Sequence, residues 1–362
     1  MKLALITTNL RGGGAEKALV KLAALMAGRG HEVHLVLLEN IVEHAPPEGV
    51  AVHALTPPGK TRRKGFLGKR LATFALKRLA KRLAKSVPFD LVVSTLPFAD
   101  EIVSLAHLPN TWFRIANTLS AEIGALRRRS PAKAERRLAR YRSLYEKRNL
   151  IAVSGGVAED LRLRLGLKHS RIATIPNPFD AEDIRRQADE AAPSLPNEPY
   201  VVHVGRFAPQ KRHDLLFDAW RRAGLPHRLV LLTPPDPRLD ALIAQYGLED
   251  RVTVAGFQRN PYPWMRKADA LVLCSDHEGL PNVLIEALIC GTPIVSTDCP
   301  SGPKEIMVGE LARFLVPMSD AAALAIALRN VVEQPPVLSD ELFAPFSAET
   351  VAREYEALAE RY

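Results

Sequence analysis

Short β-rich apolar runs alternate with helix-patterned segments along the whole chain, and this alternation limits the fold more than any other feature. In the first half the apolar runs fall at residues 3–7, 32–38, 50–55, 91–94, 113–116 and 150–153. Between the first two, Leu19, Leu22, Ala23 and Met26 follow helical spacing over 15–28. The second half repeats the pattern. Strands are predicted at 200–204, 228–232, 252–255, 270–274 and 293–296, and helices at 213–223, 238–246, 262–267 and 282–290. Strands that are apolar throughout and separated by helices belong to parallel sheets covered on both faces. A chain of 362 residues has the length of two such domains. Residues 188–199, with acids, Ala, Ser and three prolines, read as a linker. Val351, Tyr355, Leu358 and Tyr362 mark a closing amphipathic helix. The expectation is an α/β protein of two doubly wound, Rossmann-like domains facing a cleft, with ligands at the carboxyl ends of the strands.

Other classes are excluded by simple counts. The three cysteines, Cys274, Cys290 and Cys299, form no CxxC pair, which argues against a disulfide scaffold or zinc site and for a reducing compartment. The opening MKLALITTNL is too short in its apolar run for a signal peptide and reads as a first strand. No stretch of about 18 apolar residues is present to span a membrane. The net charge of +9 conceals a division: residues 1–180 hold 31 Lys+Arg and 14 Asp+Glu, whereas 181–362 hold 18 and 26. The first half is therefore expected to face something anionic: nucleic acid, lipid headgroups or phosphorylated ligands.

Three motifs point to chemistry. Arg11-Gly12-Gly13-Gly14-Ala15-Glu16 lies between a strand and a helix. Glycines there allow close backbone approach to an oxyanion at a helix N-terminus, or simply make a tight turn. Neither GxGxxG nor GxxxxGK[ST] is met. In the second motif a strand ends at Gly205, followed by Arg206 and, five residues on, Lys211. Two cations at a strand's carboxyl end suit a diphosphate; surface solvation is the plainer fate of each alone. The third runs Asp276-His277-Glu278-Gly279-Leu280-Pro281-Asn282-Val283-Leu284-Ile285-Glu286-Ala287-Leu288 and continues to Gly291-Thr292-Pro293. Pro281 suits a first helical turn, and the N–H groups of Asn282 and Val283 would then point at an anion. Glu286 follows on a helix otherwise made of Val, Leu, Ile and Ala. It is either an acid on the polar stripe or the partner of a ribose's hydroxyls.

In combination, order and spacing these elements, with Val153-Ser154 and Ile175-Pro176-Asn177-Pro178, resemble the retaining glycosyltransferases of glycosyltransferase family 4 over nearly the whole chain. The resemblance implies the GT-B fold: an acceptor-binding domain over 1–180, a nucleotide-sugar domain over 195–345, and a helix over 346–362 crossing back to the first. It implies that Arg206 and Lys211 bind the donor diphosphate and stabilise the leaving nucleotide, and that Glu278 contacts the sugar and Glu286 the ribose. Leu280, Pro281, Asn282 and Val283 would line the sugar and phosphates, with Gly205 at the turn. Gly13 and Gly14 would close over the donor, and Phe257 and Gln258 would border the base. No DxD motif is in evidence, so no metal and no cofactor is expected. The first domain departs from the family pattern in one respect. Asn117 stands where many members carry a His near the reaction centre; an amide cannot act as a base near neutral pH.

The acceptor side is expected to be basic. Residues 61–85 carry Arg62, Arg63, Lys64, Lys69, Arg70, Lys77, Arg78, Lys81, Arg82 and Lys85 and no acid, with Leu67, Leu71, Phe74, Leu79 and Leu83 interleaved. A second basic stretch runs from Arg127 to Arg142. Such a segment fits an anionic membrane surface or a lipid-linked diphosphate, or is a solvated outer face. The expected protein is cytoplasmic and peripheral on the inner membrane face. It moves a hexose or N-acetylhexosamine from a nucleotide sugar, UDP-linked by family frequency, to a glycan acceptor that is lipid-linked or a lipopolysaccharide or polysaccharide precursor. A soluble-acceptor transferase or a sugar-nucleotide epimerase keeps the same fold. A basic nucleic-acid-binding protein is the distant alternative, disfavoured by 6 % aromatics and few stacking residues in the basic stretches.

Overall fold

The computed structural model describes the chain apart from residues 12, 44–45, 62–64, 86, 193–194 and 361–362. Arg62, Arg63, Lys64 and Tyr362, singled out above, lie outside the described residues, as does Gly12. The chain divides into two compact units, Met1–Pro178 with Ala348–Tyr362, and Phe179–Ser347.

The first unit contains β1 (Lys2–Thr7), α1 (Gly14–Gly28), β2 (Glu32–Leu37), β3 (Ala51–Ala54), α2 (Phe66–Leu83), β4 (Leu91–Thr95), α3 (Pro97–Ala106), β5 (Thr111–Ile115), α4 (Leu119–Arg129), α5 (Pro131–Tyr145), β6 (Asn149–Ala152), α6 (Gly155–Glu159) and β7 (Arg171–Thr174). Among the described residues these strands form one sheet in the order β3-β2-β1-β4-β5-β6-β7, parallel at every pairing. The second unit contains α7 (Ala181–Ala188), β8 (Tyr200–Val204), α8 (His213–Ala223), β9 (Arg228–Leu232), α9 (Pro237–Gln245), β10 (Val252–Val254), α10 (Tyr262–Lys267), β11 (Ala270–Leu273), α11 (Asn282–Ile289), β12 (Ile294–Thr297), α12 (Pro303–Ile306), β13 (Leu315–Val316) and α13 (Ala321–Glu333). Its sheet order is β10-β9-β8-β11-β12-β13, again parallel. Both sheets reverse direction of growth next to their first strand, between β1 and β4 and between β8 and β11. This is the doubly wound arrangement, which leaves a crevice at the carboxyl ends of those strands.

The final helix, α14 (Ala348–Glu360), belongs to the first unit. Its Val351, Ala352, Tyr355 and Leu358 join Leu19, Leu22, Ala23 and Met26 of α1 and residues of β1 and β2 in one buried cluster. Arg29, just past α1, holds it electrostatically, with Nε 2.9 Å from Glu356 and Nη1 2.5 Å from Glu349. His31 Nε2 lies 2.8 Å from the same Glu356 carboxylate.

Two differences from the sequence reading have local causes. The strands β7 and β13 were not anticipated; β7 has only Ile172 and Ala173 as apolar residues and is an edge strand, and β13 has two residues. The Pro-rich segment 188–199 lies within the second unit, because the division falls at Pro178 and Phe179. There Phe179 N donates to Phe346 O at 3.0 Å and seats α7 on the second unit.

The α14 contacts carry measurable stability. Tyr355 is fully buried, so Tyr355→Ala should cost about 3–5 kcal/mol in urea denaturation, the range for deleting a large buried aromatic. The Arg29 guanidinium, and then His31, hold the Glu356 carboxyl down at about 2, against an ordinary 4.5. The folded carboxylate thus refuses a proton that the unfolded chain accepts. The contribution is complete above about pH 4.5 and is lost as pH falls toward 2. In Glu356→Gln this part of the acid dependence should disappear, which denaturation midpoints across that interval would detect.

Candidate functional site

The second unit's switch point gathers the expected residues. Gly205 and Arg206 follow β8, and Ser275, Asp276, His277 and Glu278 follow β11. The first loop turns sharply through a short 3-10 turn at Pro209–Lys211, then through Arg212 in the left-handed region at φ 50°. The two loops are stitched together. Asp276 N donates to Gln210 O at 2.8 Å, Gln210 Nε2 donates to His277 O at 2.5 Å, and Arg212 Nη1 reaches Asp276 Oδ1 at 3.0 Å. Phe207 N donates to Thr233 Oγ1 at 3.1 Å, which anchors the first loop to the end of β9.

This frame brings Lys211 and Glu278 together. Lys211 Nζ lies 2.6 Å from Glu278 Oε1, and Ser275 Oγ donates to the same oxygen at 2.6 Å. The side chains are 20 % and 12 % exposed, so the pair is largely shielded yet open at the surface of the loops. Arg206 is exposed beside them, with no ion pair among the described residues. The Lys211 stem lies over Gly205, close enough that a Cβ there would make ordinary van der Waals contact with Lys211 Cε and His203 Nε2.

The layer beneath Lys211 is polar but uncharged. His203 Nδ1 bonds Val272 O at 2.9 Å, and the His203 and His213 rings meet edge-on with centroids 4.9 Å apart. Burial lowers their pKa values to about 3 and about 4; for His203 the neighbouring His213 adds to the effect, and for His213 Lys211 does. Both imidazoles are neutral near pH 7. The positive charge presented at the loops comes from Lys211 and Arg206, not from the histidines below.

The helix α11 begins at this point. Leu280 and Pro281 are buried, Asn282 and Val283 half-buried at its first turn. Gly302, at φ 104°, closes the facing loop against Pro281; a Cβ there would overlap the proline Cδ. Glu286 lies one turn further in. Its Oε1 accepts from Tyr262 OH at 3.2 Å, and Tyr262 is itself buried at the start of α10. Glu286 is half-buried and held by Tyr262, more than a freely solvated acid on a polar stripe. It forms a second polar position further along the helix. Phe257 is 64 % exposed, and Gln258 Nε2 donates to Ala255 O at 2.7 Å, both in the loop after β10.

In the first unit, Gly13 caps α1 and Gly14 opens it. The Glu16 carboxylate folds back over Gly13, where a Cβ would overlap it. Asn117 follows β5, its Nδ2 donating to Glu122 Oε1 at 2.8 Å and its Oδ1 accepting from Thr118 N at 3.0 Å. Its amide is engaged locally, as a turn residue's is. Leu96, at the switch point beside β4, adopts φ 78°, an uncommon conformation for a large L-residue. Buried Arg114 on β5 donates to Asn177 in the segment after β7. Sequence reasoning gave no role to Gln210, Arg212, Ser275, Asp276, Tyr262, Thr233, Gly302, Leu96 or Arg114. Asp276 opens a motif, Ser275 adjoins it, and Pro300-Ser301-Gly302-Pro303 signals a turn. Tyr262, Thr233 and Leu96 carry no signal of their own.

Of the basic residues, Lys69 pairs with Glu101 at 2.7 Å, and Glu101 also accepts from Arg140. Arg127 pairs with Glu135 at 2.6 Å. Arg70, Lys77, Arg78, Lys81 and Arg82 are exposed along α2. The cysteines are buried and unpaired. Among the described residues no helix is long and apolar enough to cross a membrane.

Comparison with known proteins agrees with this arrangement. The family model for "Glycosyl transferases group 1" matches residues 198–334, and that for "Glycosyltransferase Family 4" matches 12–183. The chain is 28 % identical over 337 residues to the N-acetylgalactosamine-N,N'-diacetylbacillosaminyl-diphospho-undecaprenol 4-alpha-N-acetylgalactosaminyltransferase of Campylobacter jejuni, covering 92 % of this chain and 90 % of that one. It is also 28 % identical to the lipopolysaccharide core biosynthesis glycosyltransferase LpsE of Rhizobium meliloti, covering 89 % and 86 %. Among solved structures, Anabaena Alr3699/HepE in complex with UDP and glucose superposes over 100 % of both chains with a TM-score of 0.77 at 19 % identity. The lipopolysaccharide outer core galactosyltransferase WaaB does so over 100 % and 99 % at 0.71 and 18 %. The two doubly wound parallel sheets are those of the GT-B fold, and the chain belongs to the group 1, family 4 glycosyltransferases.

Proposed function

We propose that this glycosyltransferase moves a hexose or N-acetylhexosamine, with retention of configuration, from a UDP-linked donor to a glycan acceptor on a lipid-linked or lipopolysaccharide precursor. The observation that carries the proposal is the pairing of Lys211 with Glu278 across the β8 and β11 loops, beside Arg206 and the first turn of α11. UDP is supported by the UDP-bound HepE neighbour, and a lipid-linked acceptor by the names of the C. jejuni and R. meliloti relatives.

In this reading the sugar C1–O bond to the diphosphate breaks and the nucleotide leaves with added negative charge. Lys211 and Arg206, with the N–H groups of Asn282 and Val283, stabilise that charge where it develops. Lys211 is held by Glu278 at 2.6 Å, which limits the ordering that diphosphate binding would require of it. Glu278, oriented by Lys211 and Ser275, accepts from a hydroxyl of the donor sugar. Glu286, oriented by Tyr262, accepts from the ribose, with Phe257 and Gln258 beside the base. The acceptor oxygen attacks on the face the diphosphate leaves, and its proton passes to the departing phosphate oxygen. No side-chain base is required, which agrees with an amide at Asn117. Strained Leu96 at the first unit's switch point marks the acceptor's side. Because side chains supply the positive charge, the reaction is proposed to be independent of a metal ion and of any cofactor.

Lys211→Ala should lower kcat/KM about 10²–10³-fold, as for loss of one preorganised charge-stabilising group, with the melting profile retained. Glu286→Ala should chiefly weaken UDP, raising its Kd roughly tenfold or more by calorimetry, the scale of a lost charged hydrogen bond. Near wild-type values in either variant would remove these residues from the site. Transfer should also persist in EDTA, and the product should show the donor's anomeric configuration by NMR. An EDTA-abolished reaction or an inverted anomer would overturn those two parts of the proposal.

A further inference from the structure

Asp100, in the first turn of α3, is 0 % exposed and has no part in the chemistry above. Val93 of β4 belongs to the cluster under α1 and α14, so Ser94 faces the opposite layer, where α3 and α5 lie. There Ser94 Oγ donates to Asp100 Oδ1 at 2.6 Å, and Tyr145 OH of α5 donates to Asp100 Oδ2 at 2.7 Å. Among the described residues no cation bonds this carboxyl. Its neighbour Glu101 is engaged elsewhere, by Lys69 of α2 at 2.7 Å and by Arg140 of α5. Burial pushes the Asp100 carboxyl up to about 7 from an ordinary 3.8; the two hydroxyls pull it down and Glu101 adds to the rise. The folded chain thus keeps a proton that the unfolded chain gives up above pH 3.8. The stability linked to that proton is complete below 3.8 and is lost as pH rises to about 7, so an ionised Asp100 works against the fold. A residue chosen for stability alone would be apolar or an amide at this place.

What Asp100 joins gives it another purpose. Its backbone N donates to Leu96 O at 3.0 Å, closing the first turn of α3 on the residue at φ 78°. Leu96 offers α3 no side-chain cap, and Pro97 has no N–H to give, so this turn depends on what lies behind it. On the other side Tyr145 packs edge-on against Phe113, centroids 6.2 Å apart, and Phe113 is the register partner of Ser94. One turn earlier on α5, the Tyr141 ring lies 6.0 Å from that of Tyr145, and its hydroxyl stands 3.5 Å from Glu122 Oε2. The other oxygen of Glu122 accepts from Asn117 Nδ2 at 2.8 Å. Leu96 and Asn117 follow the carboxyl ends of the adjacent strands β4 and β5. One buried carboxyl therefore stands behind both rim positions, behind Leu96 directly and behind Asn117 through α5.

We infer that Asp100 is a positioning residue for the acceptor, holding the Leu96 turn and, through Tyr145 and α5, the Asn117–Glu122 loop at a fixed spacing on the first unit's rim. It touches no substrate, because it is wholly enclosed. Its two hydroxyl partners come from different elements, so losing the carboxyl frees β4, α3 and α5 from one another at a single point. Both hydroxyls can donate or accept, so an amide can meet them as well as a carboxylate does, whereas a methyl group can meet neither. The assignment of this rim to the acceptor rests on the function proposed above; the dependence of the rim on Asp100 does not.

The test is amide hydrogen exchange of the full-length protein at pH 8, read on peptides covering residues 95–101 and 116–123. In Asp100→Ala both segments should exchange about tenfold faster or more, with the strands β1 and β2 unchanged, as for local and not global opening. Tyr145→Phe should act in the same direction and serves should the alanine variant fail to fold. Asp100→Asn should restore wild-type exchange and melt at or above the wild-type temperature. In transfer from UDP-N-acetylgalactosamine to a prenyl-diphosphate-linked N-acetylhexosamine, Asp100→Ala should lower kcat/KM for the acceptor about ten- to a hundredfold, the scale of a small misplacement made at a distance. The Kd for UDP by calorimetry should stay within about twofold, since UDP is assigned to the other unit. Rim segments that exchange as in wild type in the alanine and phenylalanine variants would overturn the inference. So would faster exchange spread evenly over the first unit, or an asparagine variant as loose as the alanine one. The exchange measurement needs no acceptor. A wild type that transfers nothing to this acceptor would therefore sink the functional reading alone, with the role of Asp100 at the rim decided separately.

Discussion

The Lys211–Glu278 pair holds the site together, and it exists only because of where the second sheet changes direction. A strand order growing outward from β8 on one side and β11 on the other sends their following helices to opposite faces. The two loops leave the sheet side by side and bond directly to each other. Lys211 and Glu278 are 67 residues apart in sequence and meet there at 2.6 Å. A largely shielded ion pair is costly to assemble unless its geometry is fixed and its other lone pairs are satisfied. Ser275 on the carboxylate, and the Gln210, Arg212 and Asp276 contacts between the loops, meet both conditions. The cationic group is thereby placed before any diphosphate arrives.

Neutral histidines below that pair matter for the same reason. The second half of the chain carries more acid than base, 26 against 18. A diphosphate is therefore attracted by a few placed groups and not by a basic domain. Were His203 or His213 charged, Lys211 would be pushed away from its position. Burial prevents this, and their low pKa values express that cost. What remains is a local positive spot made of two side chains and a helix start, bounded by Glu278 and by Glu286 further along α11.

The central strands were legible because parallel sheets buried on both faces require continuous apolar runs, and β1, β4, β8, β9 and β11 have them, whereas helices such as α3, α4, α5, α7 and α13 were not read from the sequence. The edge strands β7 and β13 failed to show because an edge needs little apolar sequence. Helix α14 was readable from Val351, Tyr355 and Leu358, but its attachment by Arg29 to Glu349 and Glu356 is more than 300 residues away in sequence and leaves no local mark. At the site, Arg206, Lys211, Glu278 and Glu286 were visible as motif positions because spacing within a loop or helix survives in sequence. Their supports were not. Tyr262 orients Glu286 across two helices, Thr233 anchors a loop on a neighbouring strand, and Gly302 makes room for Pro281 from another loop. Each is a spatial neighbour without a sequence neighbour, so one-dimensional reading has no access to it.

The charge division also takes a different meaning once contacts are known. The two basic stretches of the first half are similar in composition, yet they are not equivalent in space. On α4 and α5, Arg127 meets Glu135, Arg140 meets Glu101, and Arg142 donates to Leu165 O at 2.7 Å. Part of that charge is absorbed within the unit. On α2 only Lys69 finds a carboxylate among the described residues. Its other cations and its outer apolar residues are exposed, with Arg70 stacked over Phe66. Inner-face residues Ala72, Leu76 and Leu79 are sufficient to seat the helix, so the composition of the outer face is free to answer a requirement outside the unit. The outer stripe passes from Leu67, Leu71 and Phe74 to Arg78 and Lys81 along α2.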